Sequence, residues 1–239
     1  KYVLINHNIR TNSAKEAIEV KKLLKKHNID LKIITNRDKI LSNIQSQARQ
    51  IRYKKLSEYC SKLKIKTILT AHNLEDQVET FFIRLSRGSG LTGLSSMRSI
   101  SKLNKNLSLC RPLLDTKKNL LRKISLVVFG KYFKDPSNDD LKYLRTKIRS
   151  LKKPLKQRGI EYSQIIKSIN NLASSRETLD QYFVSIFKET IKKETRNEVI
   201  LKQKKFKSLN EEIKLKIINH AIKIVSKKYY APRSKKVIN

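Results

Sequence analysis

The sequence predicts an α/β fold, a mainly parallel sheet with flanking helices, followed by a helical extension. Short β-type runs alternate with amphipathic helical segments through the first half, and past Lys153 the strand pattern stops while helical periodicity continues. With 239 residues and 38% hydrophobic content, the chain can bury the core of one or two domains. The expected division is an α/β catalytic domain over 1–153 and a helical extension over 154–239.

In order, "KYVLINH" reads as a strand, "SAKEAIEVKKLLKKHN" as a helix, "DLKIITN" as a strand, "NIQSQARQIRYKKLSEYCSKL" as a helix and "KTILTAH" as a strand. Strands joined through helices pair in parallel, and ligands of such sheets sit at the carboxyl ends, here His7, Asn36 and His72. The third end runs into "NLEDQVETFFIRLSRGSGLTGL". Val78, Phe81, Phe82 and Leu85 follow i, i+3, i+4, i+7 and are expected to face the core. Asp76, Thr80 and Arg87 fall nearly opposite, with Glu79 at the margin. Asn73 can cap this helix, and Asp76 three residues on resembles a capping box. Capping does not account for Gln77, Glu79 and Thr80 together. A plain helix end needs one glycine, whereas this turn sets Gly88 and Gly90 around Ser89.

Next, "SLCRPLL" reads as a strand broken by Pro112, "DTKKNLLRKISLVVFGK" as a helix, and "DPSNDD" as a turn in which Ser137 or Asn138 caps another helix. In that helix Leu141, Leu144, Ile148 and Leu151 are the expected buried stripe. Lys142, Arg145, Arg149 and Lys152 form a basic ridge suited to phosphate contacts, with a solvated charged face as the alternative. "SQIIKSINNLASSRETLDQYFVSIFKETI" and "LNEEIKLKIINHAIKIVSKKYY" read as helices joined by a polar, lysine-rich linker.

Composition narrows the function. Fifty-five Lys and Arg against 20 Asp and Glu give a net charge of +35, a field that favours a polyanion, nucleic acid above all. General lysine-rich usage explains part of the excess without changing its sign. Cys60 and Cys110 form no CxxC, which argues against a zinc ribbon, an iron–sulfur ligand set or a disulfide framework and suits a reducing cytosol. No apolar run reaches the roughly twenty residues of a membrane span. The expected location is the cytoplasm, with no membrane partner.

Taken in order, "NHNIR", "NIQSQARQIRY", "TAHNLEDQVET", "RLSRGSGLTGL", "RPLL" and "DPSN" resemble the tRNA(Ile)-lysidine synthetase family of ATP pyrophosphatases. The resemblance implies an adenine-nucleotide α-hydrolase-like, Rossmann-like fold and a carbon–nitrogen ligase. It implies ATP, with Mg2+ accompanying it, free L-lysine, and tRNA(Ile) with a CAU anticodon as partners. ATP adenylates the C2 oxygen of the wobble cytidine, and the lysine ε-amine then displaces AMP, changing decoding from AUG to AUA. On the matching positions it implies His72, Asp76 and Glu79 as catalytic. Gln77, Thr80, Arg87, Gly88, Ser89 and Gly90 are implied at the ATP and lysine site, and Arg111, Lys142, Arg145, Arg149 and Lys152 towards tRNA. No metal ligand is assigned, and a homodimer is left open. Carboxylates suit a lysine that must be held as a cation and then used as a neutral amine.

The match has departures. The family opens with a strand and a Ser-Gly-Gly-x-Asp-Ser loop that cradles phosphates, and here no glycine precedes Gly88. Asn73 stands where a second histidine is common and Glu75 where aspartate is common. The expectation is a fragment or split product that does not adenylate by itself and whose C-terminal tRNA-binding portion is short. The rival readings are a tRNA-binding remnant without ATP chemistry and a tRNA cytidine-thiolating enzyme, a class that generally carries the CxxC pairs absent here.

Overall fold

The structure, a computed structural model, describes residues 1–38, 40, 44–134, 140 and 142–226. In chain order its elements are β1 Tyr2–Asn6, α1 Ser13–Lys26, β2 Leu31–Thr35, α2 Ile44–Lys62, β3 Thr67–Leu69, α3 Leu74–Leu85, α4 Leu91–Leu94, β4 Ile100–Asn104, β5 Leu107–Cys110, α5 Lys118–Phe129, α6 Leu144–Ser150, α7 Lys152–Gln157, α8 Tyr162–Thr190, β6 Ile191–Glu194, β7 Val199–Leu201, α9 Gln203–Lys207 and α10 Glu211–Ser226. They form two compact units, residues 1–75 with 98–140 and residues 76–97 with 141–239.

The first unit holds two sheets, β1 with β2 and β3 with β5 and β4, and their helices. β1 pairs with β2 in parallel, Tyr2 opposite Leu31 and Asn6 opposite Thr35. β3 pairs in parallel with β5, Ile68 opposite Leu109, and β4 adds to the other side of β5 antiparallel. The alternation read from the sequence places every parallel strand, and β4 is the addition. Lys105 and Asn106 turn the chain between β4 and β5, with the Asn106 N–H donated to Asn104 Oδ1 at 2.9 Å. "ISKLN" is too polar to announce itself as a strand. β5 stops at Cys110, short of Pro112, which cannot donate to a ladder. Cys60, Ile68, Leu107 and Leu109 make the buried centre, flanked by Tyr53, Leu56, Ile65 and Leu103.

The second unit is mainly helical. Phe183, Ile186 and Phe187 of α8 and Ile213 and Ile217 of α10 make its apolar centre, with Leu179, Ile191, Leu201, Phe206 and Leu209 around it. The strand pattern does not stop at Lys153, as the sequence suggested. Within the lysine-rich linker, β6 and β7 form an antiparallel hairpin, Ile191 opposite Leu201. The expected stripe after the "DPSN" turn is also corrected: Ile148 is buried, but Leu144 and Leu151 are 42% and 43% exposed. The stripe assumed one continuous helix, whereas α6 ends at Ser150 and α7 restarts at Lys152 with Pro154 in its first turn, a position that tolerates proline but removes a backbone donor. "DPSN" with its Ser137 and Asn138 caps, Leu141 and "APRSKKVIN" lie outside the described residues.

Helix α3 starts in the first unit with Leu74 and Glu75 and continues in the second. Its buried residues are Gln77, Val78 and Glu79, with Phe81 and Phe82 half-buried edge to face and Leu85 48% exposed. The wheel placed the apolar stripe correctly at Val78 and missed that two polar residues beside it go inside.

Candidate functional site

In the second unit, Glu79 of α3 meets Arg145 and Arg149 of α6. Glu79 is 1% exposed. Its Oε1 accepts a hydrogen bond from Arg149 Nε at 2.7 Å, and its Oε2 lies 3.2 Å from Arg145 Nε. The second contact is an ion pair without hydrogen-bond geometry, since Oε2 is buried and takes no hydrogen bond. Arg145 and Arg149 sit four apart on α6 and so share a face. The Glu79 hydrogen bond raises the Arg149 pKa above its ordinary value, burial opposes this, and the charges of Glu79 and Asp76 add to the rise. A buried carboxylate is tolerated only when paired in this way. Thus Glu79, expected as a catalytic carboxylate at the helix margin, is buried with both oxygens turned to guanidinium groups. Asp76 is half-buried, within electrostatic reach of Arg149. Lys152 lies over the Tyr162 ring, 5.0 Å from its centroid, and Lys142 is exposed.

The turn after α3 is built by backbone clamps. Gly88, at φ 64°, closes a Schellman end in which its N–H reaches Leu85 O at 2.9 Å and the Ser89 N–H reaches Arg84 O at 3.1 Å. Gly93 packs so close to Ser89 that a Cβ there would meet the Ser89 Cβ at 2.5 Å. Arg84 donates through Nη1 to Gly93 O at 2.7 Å and Ser96 O at 2.9 Å. Arg176, 4% exposed on α8, donates to Ser95 Oγ at 2.5 Å. Gln77 uses both ends of its amide on Met97, accepting from its N–H at 2.8 Å and donating to its carbonyl at 3.0 Å. Thr80 donates its hydroxyl to the Asp76 carbonyl at 2.7 Å. Gln77 and Thr80, expected at the ATP and lysine site, therefore hold backbone. Arg87 and Gly90 are exposed and Ser89 half-buried, so the turn itself faces outward.

Sequence reasoning missed Arg84 and Arg176. A cation in the last turn of a helix suits carbonyl groups, which could have flagged Arg84. Nothing local flags Arg176, which lies 81 residues from its partner Ser95.

In the first unit, His72 is half-buried, with Nδ1 2.8 Å from Thr70 Oγ1. Glu75 accepts the Lys118 N–H at 2.8 Å, so this acid tethers the start of α5. Arg111, expected to face tRNA, is corrected: it is 6% exposed and donates through Nη1 to Arg98 O at 2.8 Å and Ser101 Oγ at 3.1 Å. It ties the end of β5 to β4 and the residues before it. At the carboxyl ends of β1 and β2, Asn36 donates its backbone N–H to Asn6 O at 2.7 Å. Asn36 Oδ1 and both ring nitrogens of His7 are buried without a hydrogen-bond partner. Burial, then the charge of Arg52, lowers the His7 pKa from its ordinary value. Arg49 stacks over Tyr53 at 5.0 Å, so part of the "ARxxRY" pattern locks α2 onto itself. Among the described residues no group of three or more His, Cys, Asp or Glu could hold a metal ion.

These features coincide with a family match. The family model described as the PP-loop domain matches residues 1–155, and the chain belongs to the PP-loop domain family. Within it, the chain resembles tRNA(Ile)-lysidine synthases. It is 36% identical to that of Wolbachia pipientis wMel over 236 residues, covering 98% of this chain and 54% of the relative. It is 32% identical to that of Orientia tsutsugamushi over 234 residues, covering 92% and 52%. The chain spans about half the length of the curated relatives it matches. Among solved structures, a U34-tRNA thiolase from Methanococcus maripaludis with its [4Fe-4S] cluster shares the fold at a TM-score of 0.57 and 18% identity, covering 71% of this chain and 61% of that one. No described helix is long and apolar enough to cross a membrane.

Proposed function

We propose that this chain carries the tRNA-modifying chemistry of a tRNA(Ile)-lysidine synthase, a ligase joining L-lysine to C2 of the wobble cytidine of tRNA(Ile) with a CAU anticodon. The observation that carries this reading is the similarity to those synthases over 98% of the chain, which runs through both units. The two cysteines, free and 50 positions apart at Cys60 and Cys110, give the cluster-bearing thiolase chemistry little support.

The residues divide the work. Asp76 offers a half-buried carboxylate to a lysine ε-ammonium and then takes its proton, which is what an amine needs before attacking carbon. His72, steadied by Thr70, is the second proton-handling group. Arg87 and Ser89 present donors from a turn that Gln77, Arg84 and Arg176 hold still. Arg145 and Arg149 of α6, with Lys142 before that helix and Lys152 at the start of α7, are the cations for the RNA backbone.

ATP fits the chain at one end. The buried, unpaired atoms of His7 and Asn36 at the ends of parallel strands suit a base or ribose, whereas no glycine-rich turn precedes Gly88 to hold phosphates. When bound with Mg2+, ATP supplies the activation that turns the cytidine C2 oxygen into a leaving group. The setting for this chemistry is the cytoplasm, where tRNA is modified.

Depleting the protein in its own cells and digesting the CAU tRNA tests the reading. The expected result is unmodified cytidine in place of lysidine at the wobble position. Intact lysidine with altered tRNA levels would favour a binding protein, and loss of a thiolated cytidine would favour the thiolase chemistry.

A further inference from the structure

We propose that the groove between α9 and α10 takes one unpaired nucleotide of the RNA, its base against an apolar floor and its phosphates against the lysines of α9. The proposal rests on the reading of RNA as the partner of this chain, and it assigns that partner a contact made by residues other than those named above. The groove lies within the second unit and measures about 680 Å³, in the size range of sites that hold small molecules. Phe206 of α9 with Leu215 and Ile218 of α10 supply its apolar surface. Phe206 also packs against the apolar centre of α8 and α10, so its ring is held before anything binds. A base laid on a fixed aromatic ring gains stacking without ordering the ring first.

Charge selects the occupant. The run "KQKKFK", residues 202–207, carries four lysines and no acid. Lys205 is paired with Glu189 at 3.0 Å, whereas Lys204 and Lys207 are exposed and make no ion pair among the described residues. They stand three apart on α9 and so share a face, and Lys207 lines the groove. Two unpaired cations beside an apolar floor suit a nucleotide, which presents a flat base and anionic phosphates together. The α10 side of the groove is acidic. Glu211 is tied to Lys214 at 2.8 Å, and Glu212 is exposed without an ion pair among the described residues. A carboxylate there repels phosphate and accepts a hydrogen bond from a base amine, so it turns the phosphates towards α9 and the base edge towards the start of α10. The occupant is therefore a base with an exocyclic amine, such as adenine, and not uracil.

Fluorescence anisotropy of labelled octaadenylate and octauridylate on the full chain, over a salt series, tests this. The unaltered chain is expected to bind octaadenylate about fivefold tighter than octauridylate. Lys204→Ala with Lys207→Ala is expected to weaken both about tenfold and to flatten the salt slope by about one. Glu212→Ala raises the net charge of the chain by one, so general electrostatics makes both oligomers bind tighter. The proposal makes octaadenylate bind more weakly and abolishes its preference over octauridylate. Glu212 also suits the first turn of α10, but stability lost there would act on both oligomers alike. Leu215→Trp fills the groove and is expected to weaken octaadenylate about tenfold while leaving an RNA duplex of the same length unaffected, since a duplex offers no unpaired base. If that variant melts too early to assay, the lysine and Glu212 variants, all at exposed positions, decide the matter.

Three results overturn the proposal: unchanged affinity in the double lysine variant, equal tightening of both oligomers by Glu212→Ala, or a folded Leu215→Trp variant that binds octaadenylate as before. The last would leave the groove to a protein segment. A tRNA transcript separates the proposal from its premise. If the unaltered chain binds neither the transcript nor the oligomers, RNA is not the partner and the premise fails, taking the proposal with it. If it binds the transcript, and neither the oligomers nor the groove variants show the expected pattern, the groove assignment fails by itself and the RNA reading stands.

Discussion

Where α8 meets α10, the second unit is held by Phe183, Ile186, Phe187, Ile213 and Ile217. Where α3 meets α6, it is held by Glu79 and two arginines. The first contact is apolar surface taken from water, a non-directional force that rewards filling space. The second is a buried charge that had to be stripped of water and regains that cost only through geometry. Stability alone would favour apolar side chains at both places. That α3 places a glutamate among its buried residues points to a job other than holding the unit together. The same contrast appears in the turn after α3, where Gln77, Arg84 and Arg176 hold backbone through hydrogen bonds.

Four perturbations sharpen the contrast or break it. The largest effect is expected for Asp76→Asn, which keeps shape and removes the proposed base. Lysine transfer to tRNA by the native enzyme should fall by about three orders of magnitude with RNA affinity nearly unchanged. Loss of RNA binding instead would make Asp76 part of the RNA contact. Next comes Ile217→Ala in the apolar core, at 0% exposure. It should cost about 3 kcal/mol in a urea melt, and the folded variant should bind RNA as before. An RNA defect in that variant would show that the two contacts are coupled.

A smaller effect is expected from Arg145→Ala, about tenfold in RNA affinity with a salt slope reduced by about one. Its melting midpoint should move little, since Arg149 still satisfies Glu79 Oε1. The smallest effect is in pH. His220 packs edge-on against Phe187 at 4.6 Å and Phe183 at 5.7 Å. Burial lowers its pKa from 6.5, Glu194 opposes this, and Lys223 adds to the lowering. The unfolded chain therefore binds the proton first. Stability present above pH 6.5 is lost as the pH falls towards the depressed folded value. His7, lowered in the same direction, contributes a parallel loss in the first unit. Urea melts at pH 7.5 and 5.5 should show the decline, and His220→Leu should remove its own part of the slope. A slope of opposite sign would mean that His220 gains an acidic partner on folding.

Much of the fold was legible because periodicity reports on burial. β1, β2 and β3 alternate with α1 and α2 where the sequence placed them, and α8 and α10 follow their helical spacing. The misses have local causes. β4 is half-polar because it lies at a sheet edge, and β6 and β7 hide among lysines because a two-stranded hairpin buries few side chains. The stripe failed at Leu151 because the helix breaks between Ser150 and Lys152, and at Leu144 because it is the first residue of α6. For the site, sequence reading named residues that the structure occupies with the protein's own groups. Gln77, Thr80, Glu79 and Arg111 all lie in the motifs, yet the first two hold backbone, Glu79 holds arginines and Arg111 ties two strands.

The sequence by itself determined the fold class, the sign of the charge and the family resemblance. These depend on spacing and composition, which a linear chain carries in full. Only the tertiary structure decided which polar residues go inside and what they meet there. Glu79 meets Arg149 across 70 positions, and Arg176 meets Ser95 across 81. No periodicity connects such pairs. A buried charge is tolerated only where the folded chain delivers its partner, so its role is written in the contact and not in the motif.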